Sequence, residues 1–314
     1  MADSPSHFKP QKRYLMLVAL LALAIYVLLP QLGDFRSSWQ QLQHPALDWT
    51  ALAIALSFGT YLAAAATYYL LALKPLRYGR TVLVQLAAMF INRLLPAGIG
   101  ALGANYAYLR HSKHSSGQAA GIVAFNNLLG FAGHSLLVGG TLLAFRGQLQ
   151  SINKPALSHG LAAWAVAAVM IVLIIAIVAG RERFRRTAAD VKQQFQTYGQ
   201  RPFRTSSALL SSIALTLCNV LALYACAQAF SVHLAFSTVL IIFTFGISLG
   251  TAVPTPGGLG GFEAGLVAGF VAYHVPNSTA LAAALLYRLI SYWLALLAGS
   301  VAFVICDRRR LLQT

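Results

Sequence analysis

One carboxylate lies inside an otherwise apolar stretch of this sequence: Glu263, within the run VPTPGGLGGFEA at residues 253–264. The other acidic residues fall in polar loops or at the ends of apolar runs. A charged group at membrane depth is costly and by default indicates a functional site. The alternative is a structural ion pair with Arg93 or Arg288, and the two roles can coexist.

The residues before Glu263 interrupt a helix and allow the backbone to turn sharply. In a membrane, such a segment survives only inside protein or beside a water-filled cavity. A helix that starts near Gly261 would direct its N-terminal amides at the break, where they favour an anion such as a lipid phosphate. The alternative is a plain loop between two spans. The candidate substrate-binding residues of this segment are Pro254, Gly257, Gly258 and Gly260.

Two arginines stand at comparable depth in apolar surroundings. Arg93 lies at the break RLLPAGIGALG of an interrupted run earlier in the chain, and Arg288 lies in the last apolar run. A guanidinium can hold a phosphate through two parallel hydrogen bonds, so both are candidate headgroup ligands. Around Arg288 stand Tyr287, Tyr292 and Trp293, for which anchoring at the membrane interface is the favoured interpretation.

Other polar residues in apolar runs give weaker signals. Asn105 follows the glycines of the break RLLPAGIGALG, and Asn126 lies in a full-length run. Asn126 either lines a polar cavity or forms a hydrogen bond between helices. His111 and His114 lie among cations and have no third ligand nearby, which argues against a metal site. No nucleophile, base and orienting group come together, so we expect no catalytic site and no cofactor.

The composition indicates an all-α polytopic membrane protein. Hydrophobic residues make up 58% of the 314 residues and charged residues 10%, with a mean hydropathy of +0.67. Soluble domains carry about 25% charged residues. The net charge of +16 is typical of nucleic-acid-binding proteins too, but here the cations lie between or beside apolar runs. That placement follows the positive-inside rule and predicts no nucleic-acid partner.

The apolar runs predict about six full spans within a single integral membrane domain over residues 1–314. Two further runs, 81–109 and 236–273, are interrupted, and we interpret each as a re-entrant hairpin, for nominally eight membrane segments. With a cytoplasmic N-terminus, only Arg36, Arg146 and Lys154 then lie outside. Two tight crossings in each run would preserve the charges equally well. The predicted full spans are residues 14–32, 49–73, 118–145, 160–180, 207–230 and 279–305.

The two interrupted runs also resemble each other. The order span, span, hairpin, span occurs twice and starts on opposite sides of the membrane, which indicates an inverted repeat with paired broken segments. The half-repeats cover about residues 14–145 and 160–305, with a basic cytoplasmic linker at about 181–206. Aligning the breaks places Pro96 on Pro254, Gly100 on Gly258, Gly103 on Gly261, Asn105 on Glu263 and Asn126 on Arg288.

The segment PTPGGLGGFEAG, followed by ALLYRLISYW, resembles the flippase-like transmembrane domain of bacterial lysylphosphatidylglycerol synthases and its stand-alone relatives. The run INRLLPAGIGALGANYAYLR is similar to the family's Asn…Leu-Pro…Gly segment. It departs from the family pattern after these glycines, where an Arg is common, and at Asn126–Asn127, where an acidic–basic pair is usual. The resemblance implies lipid translocation or an accessory role in envelope lipid handling. Without the soluble aminoacyl-transfer domain, synthase activity is not implied.

The sequence therefore predicts an inner-membrane flippase or transporter rather than an enzyme, with both termini in the cytoplasm. Its partners would be membrane lipids with an anionic phosphate headgroup. The alternatives are a membrane-embedded lipid-modifying enzyme and a non-transporting scaffold for lipid-synthesis enzymes. The sequence names neither the lipid nor the oligomeric state. The predicted substrate-binding residues are Arg93, Asn105, Asn126, Pro254, Gly257, Gly258, Gly260, Glu263 and Arg288.

Overall fold

The structure is a computed structural model that describes residues 44–95, 99–144, 196–252 and 255–312. Within these ranges the chain is helical and contains no β-strand. The predicted spans at 14–32 and 160–180, and most of the basic linker, lie outside the described residues. The same holds for Pro96 and Pro254.

The described residues form helices that follow the apolar runs closely. Between α8 and α9 the helix continues through a π-helical turn, Leu289–Leu294, and a short 3₁₀ turn, Pro256–Gly258, precedes α7. The helices are α1 (Leu47–Leu71), α2 (Tyr78–Leu94), α3 (Ile99–His111), α4 (Ser116–Ala144), α5 (Pro202–Gln228), α6 (Phe236–Ala252), α7 (Gly261–Ala272), α8 (Asn277–Arg288) and α9 (Ala295–Arg308).

Four helical stretches of the described chain are long and apolar enough to cross a membrane. A spanning helix needs about 20 apolar residues, and these have 25, 25, 27 and 32. They correspond to four of the six predicted full spans and confirm a multi-pass membrane protein. The remaining two predicted spans fall outside the described residues. The four stretches are Leu47–Leu71, Ser116–Gly140, Pro202–Gln228 and Asn277–Arg308.

The first interrupted run is broken where the sequence predicts, between α2 and α3. The two helices are antiparallel, because residues late in α2 meet residues early in α3. Near the break the amide of Ala101 donates to Asn92 Oδ1 at 3.3 Å, and farther away Gln85 Nε2 donates to Asn105 Oδ1 at 2.7 Å. The chain therefore returns toward the end from which α2 started.

The second interrupted run forms a tighter antiparallel pair, α6 and α7. A Cβ added at Gly265 would lie 2.8 Å from the Cα of Gly246, and one added at Gly250 would lie 3.0 Å from the Cβ of Phe262. Small residues thus let the two backbones approach closely, as is common between membrane helices.

The contacts divide the described chain into two compact units. Unit 1 comprises the described residues within Met1–Gly59, Leu86–Gly103 and Cys218–Val304, and unit 2 comprises those within Thr60–Gln85, Ala104–Leu217 and Ile305–Thr314. Arg93, Glu263 and Arg288 belong to unit 1, whereas Asn105 and Asn126 belong to unit 2. Because these units are interleaved along the chain, the two sequential half-repeats stay a prediction.

Candidate functional site

The carboxylate singled out by the sequence forms a buried ion pair. Arg288 Nε donates to Glu263 Oε1, and the two residues are only 9% and 6% exposed. In the part of the chain that the structure describes, this is the one salt bridge. The ion pair that the sequence analysis considered with Arg93 or Arg288 is therefore formed with Arg288, while the role of these residues in substrate binding stays a prediction.

Glu263 also caps the helix on which it lies. Helix α7 begins at Gly261, as predicted, and the amide of Gly260 donates to Glu263 Oε2 at 2.8 Å. A carboxylate in the first turn is stabilised by the positive end of the helix dipole. The sequence assigned this position to a lipid phosphate. In the structure the protein's own carboxylate takes the Gly260 amide, so an anion bound here would have to share or displace it.

Arg288 donates hydrogen bonds to protein groups through two of its three guanidinium nitrogens. Its Nη2 donates to the carbonyl of Gly257 at 3.0 Å, which ties α8 to the turn before α7. The guanidinium carbon lies 4.8 Å from the ring centre of Phe262 and 4.9 Å from that of Tyr292. Both distances are within the range of cation–π attraction. Arg288 thus joins the broken segment, α7 and the last membrane helix.

The turn itself requires glycine. Gly257, Gly258 and Gly260 have φ angles of 64°, 68° and 87°, a region that other residues rarely adopt. A Cβ at Gly257 would collide with the Tyr292 ring, and one at Gly258 would lie 3.1 Å from the carbonyl oxygen of Gly250. These glycines therefore shape the site through close packing. Pro254, the remaining candidate of this segment, lies outside the described residues.

Arg93 approaches the same site from α2 but is only partly satisfied. Its Nη2 donates to the carbonyl of Ser291, and its guanidinium carbon lies 5.2 Å from the ring centre of Tyr292. Its Nη1 is buried and has no hydrogen-bond partner among the described residues. A buried donor left without a partner costs about 1–3 kcal/mol, and more when the group is charged. Such a group needs an explanation, and a missing ligand is one.

Both partners of Arg93 lie in the π-helical turn. The sequence analysis predicted neither this turn nor its contacts with Arg93. Ser291 and Tyr292 lie in this turn, Leu289–Leu294, and π-turns inside α-helices occur frequently at functional sites. Tyr292 is 6% exposed and Tyr287 is 3% exposed, so both are packed inside the protein rather than anchored at an interface. Trp293 is 44% exposed, and its anchoring at the membrane interface stays a prediction. No spacing rule in the sequence identifies a π-turn here.

Charge at the break is uncompensated in the described residues. Arg93 and Arg288 contribute two positive charges, and Glu263 contributes one negative charge, paired with Arg288. The excess positive charge resides on Arg93, the residue with the unpartnered donor. The arrangement therefore favours an anion beside Arg93.

The two asparagine candidates lie in unit 2 and have different surroundings. Asn105 is 3% exposed and accepts a hydrogen bond from Gln85 inside the α2–α3 pair. Asn126 is half-buried in α4, and no described residue hydrogen-bonds to its side chain. Neither is assigned to the Glu263 site, and their predicted role as headgroup ligands stays a prediction.

His114, for which the sequence analysis argued against a role as a metal ligand, connects two loops by hydrogen bonds. Its Nε2 accepts from the backbone N–H of Lys74, and its Nδ1–H donates to the carbonyl of Leu109, both at 3.1 Å. Burial, aided by the nearby Lys74 ammonium, holds the pKa of His114 below the ordinary value of 6.5. With both ring nitrogens engaged, the neutral imidazole acts as a tether between the α1–α2 and α3–α4 connections.

Comparison with known proteins places the chain in a family. Residues 16–299 match the family described as the transmembrane region of lysylphosphatidylglycerol synthase. The chain belongs to this family. It is also similar to a "UPF0104 membrane protein" of Methanothermobacter thermautotrophicus, with 36% identity over 90 residues. That match spans 29% of this chain and only 27% of the relative. The resemblance predicted from the sequence is therefore confirmed, and the family connects the chain with membrane lipids.

Proposed function

We propose that this chain is a multi-pass flippase or transporter of the bacterial inner membrane, not an enzyme, with both termini in the cytoplasm. Its substrate would be a phospholipid or related amphiphile with an anionic phosphate headgroup. The observation that carries the proposal is Nη1 of Arg93, which is buried beside a broken membrane helix and has no hydrogen-bond partner in the described part of the chain. Family membership supports the lipid, and the excess positive charge supports the anionic headgroup.

A phosphate at Arg93 would both accept a hydrogen bond from Nη1 and balance the positive charge of this residue. A phosphate oxygen accepts charge-assisted hydrogen bonds from a guanidinium, so it would satisfy Nη1 and neutralise the excess charge together. Tyr292 holds the guanidinium from one side, which limits the freedom that binding would have to remove. The headgroup would exchange its hydration shell for these fixed polar groups while its acyl chains stay in the bilayer.

The Glu263–Arg288 pair would position the residues of this site. It joins α7, α8 and the glycine turn, so it fixes the position of the π-turn that carries both partners of Arg93. Glycines at the turn would let the break adjust as a headgroup enters and leaves.

Helix lengths support the re-entrant arrangement proposed for both breaks. Helices α3 and α7 have 13 and 12 residues, or roughly 20 and 18 Å, against a hydrocarbon core of about 30 Å.

Glycines at aligned positions also make similar contacts. A Cβ at Gly100 would meet the backbone of Ile91, nine residues earlier, and one at Gly258 would meet that of Gly250, eight residues earlier. These likenesses support the inverted repeat.

Lipid translocation measured in liposomes tests the proposal. Purified protein would be reconstituted with fluorescent phosphatidylglycerol or fluorescent phosphatidylcholine, and dithionite quenching would report the probe that reaches the outer leaflet. We expect faster movement of the anionic probe, and a loss of about tenfold or more in Arg93→Gln. Arg201→Gln, the same charge change at an exposed position outside the site, is the matched control.

The outcomes separate the three classes of function. If neither probe moves faster than in empty liposomes, or if Arg93→Gln equals wild type in well-folded protein, the proposal is wrong. Mass spectrometry of the liposome lipids checks the enzyme alternative, because a modified lipid product would appear there. If the protein neither moves nor modifies lipid, the remaining alternative is a non-transporting scaffold for lipid-synthesis enzymes.

A further inference from the structure

A concave surface lies in unit 2, and its lining contains none of the residues of the Glu263 and Arg93 site. A cavity of about 270 Å³ opens between the α1–α2 connection, the α3–α4 connection and the segment after α9. It is smaller than the roughly 300–1,000 Å³ of sites for drug-sized ligands. Its polar lining consists of Arg77, Arg80, Tyr108, His111, Ser112 and Lys113.

The cavity lining has a strongly one-sided charge. Arg77, Arg80 and Lys113 are basic residues, and none of the residues that line the cavity is acidic. None of these three forms a salt bridge with another described residue. Like charges around one concave surface repel each other, and the low-dielectric walls concentrate their field. An anion in the cavity would relieve this repulsion.

The walls of the cavity are held in place by hydrogen bonds. The Lys74 ammonium donates to the carbonyl of Lys113, and the Lys74 amide donates to His114. The hydroxyls of Tyr108 and Thr81 are hydrogen-bonded at 3.0 Å. These contacts fix the loop and helix that carry the cations, so binding would have little backbone to order.

The turn that presents Lys113 is itself unusual. Lys113 has a φ of 66°, a left-handed conformation that residues with a Cβ rarely adopt. The structure around it, including the Lys74 contact and the His114 tether, holds the backbone there. Strained positions of this kind cluster at ligand sites.

We propose that this cavity binds a phosphate-bearing anion, the chemistry shared by an anionic lipid headgroup and free phosphate. Arg77 and Arg80 would donate guanidinium N–H groups to the phosphate oxygens, Lys113 would add a point charge, and the Ser112 hydroxyl a neutral hydrogen bond. The proposal does not depend on translocation, since a site of this kind serves equally to hold a lipid at the membrane surface.

Two binding measurements distinguish the sources of the phosphate. Native mass spectrometry would count phosphatidylglycerol retained by the full chain, with phosphatidylcholine as the neutral comparison. Calorimetry in detergent would measure the affinity for inorganic phosphate. The test variant is Arg77→Gln/Arg80→Gln, and the matched control is Arg201→Gln/Arg204→Gln, which removes the same charge outside the cavity lining.

We expect wild type to bind at least one phosphate probe and the cavity variant to bind it about tenfold more weakly or worse, while the control variant stays close to wild type. Retention of phosphatidylglycerol without phosphate binding identifies a lipid source, and the reverse identifies a soluble anion. Absence of binding by wild type in both assays would overturn the proposal. Equal losses in the cavity and control variants would also overturn it, because the loss of binding would then depend on net charge and not on the cavity residues.

Discussion

The guanidinium carbon of Arg93 lies 5.2 Å from the centre of the Tyr292 ring. Arg288 approaches the same ring at 4.9 Å, so one aromatic side chain serves two cations. Only Arg288 has a carboxylate partner among the described residues. The two arginines thus differ: Arg288 is held by Glu263 and Gly257, whereas the buried Nη1 of Arg93 has no hydrogen-bond partner within the described ranges.

Breaking the Glu263–Arg288 pair should damage the fold more than removing both charges does. Removal of one member strands the other charge in a buried setting and costs about 3–5 kcal/mol. We therefore expect a large fall in Tm for Arg288→Ala in detergent. Glu263→Gln combined with Arg288→Ala should recover part of that loss. Simple addition of the two single-variant changes would contradict the contact, since coupled residues are non-additive.

Gly257→Ala should destabilise the turn for two separate reasons. The φ of 64° is unfavourable for alanine, and the new methyl group would collide with the Tyr292 ring. We expect a loss of about 1 kcal/mol or more, seen as a lower Tm, together with weaker retention of anionic lipid. Gly139→Ala in α4 is the matched control, because its added Cβ would meet nothing within 4 Å. Equal behaviour of the two variants would rule out a special role for Gly257.

Local chemistry made the breaks and the ion pair predictable from the sequence. Two prolines and four glycines clustered within residues 253–264 indicated a turn, and Glu263 had few possible partners at that depth. The Arg93 site was only half predictable. Its partner Ser291 is 198 positions away and is positioned by a π-turn that no hydrophobic period encodes. His114 was unpredictable for a similar reason, since its partner is the backbone N–H of Lys74.

The His114 tether should make this end of unit 2 sensitive to acid. The pKa of His114 is lowered from 6.5 by burial, so the folded state binds its proton less readily than the unfolded state. The tether's stability is therefore fully present above about pH 6.5 and is lost as the pH falls through the lowered pKa. Protonation would also place an N–H at Nε2, facing the Lys74 amide that it now accepts from.

Melting curves at a series of pH values check this expectation. Wild type should lose Tm below about pH 6.5, and His114→Gln should show a lower Tm at neutral pH but a flatter acid dependence. His111→Gln removes an exposed imidazole from the same loop region and should keep the wild-type dependence. A His114→Gln curve parallel to that of wild type would assign the acid sensitivity to other groups.

Cysteine labelling tests whether the two breaks return to opposite sides of the membrane. Ser116 and Asn277 are exposed first residues of α4 and α8, the helices that follow the two antiparallel pairs. In a background without Cys218, Cys226 and Cys306, we expect Ser116→Cys to react with an impermeant maleimide only from the cytoplasm. Asn277→Cys should react only from the periplasm.

The reason is that each helix pair turns back on itself. The positive-inside rule places the loop before Ser116, with Arg110 and Lys113, in the cytoplasm. Labelling of both cysteines from the same side would mean an even number of crossings between Ser116 and Asn277, and the inverted repeat would then be wrong.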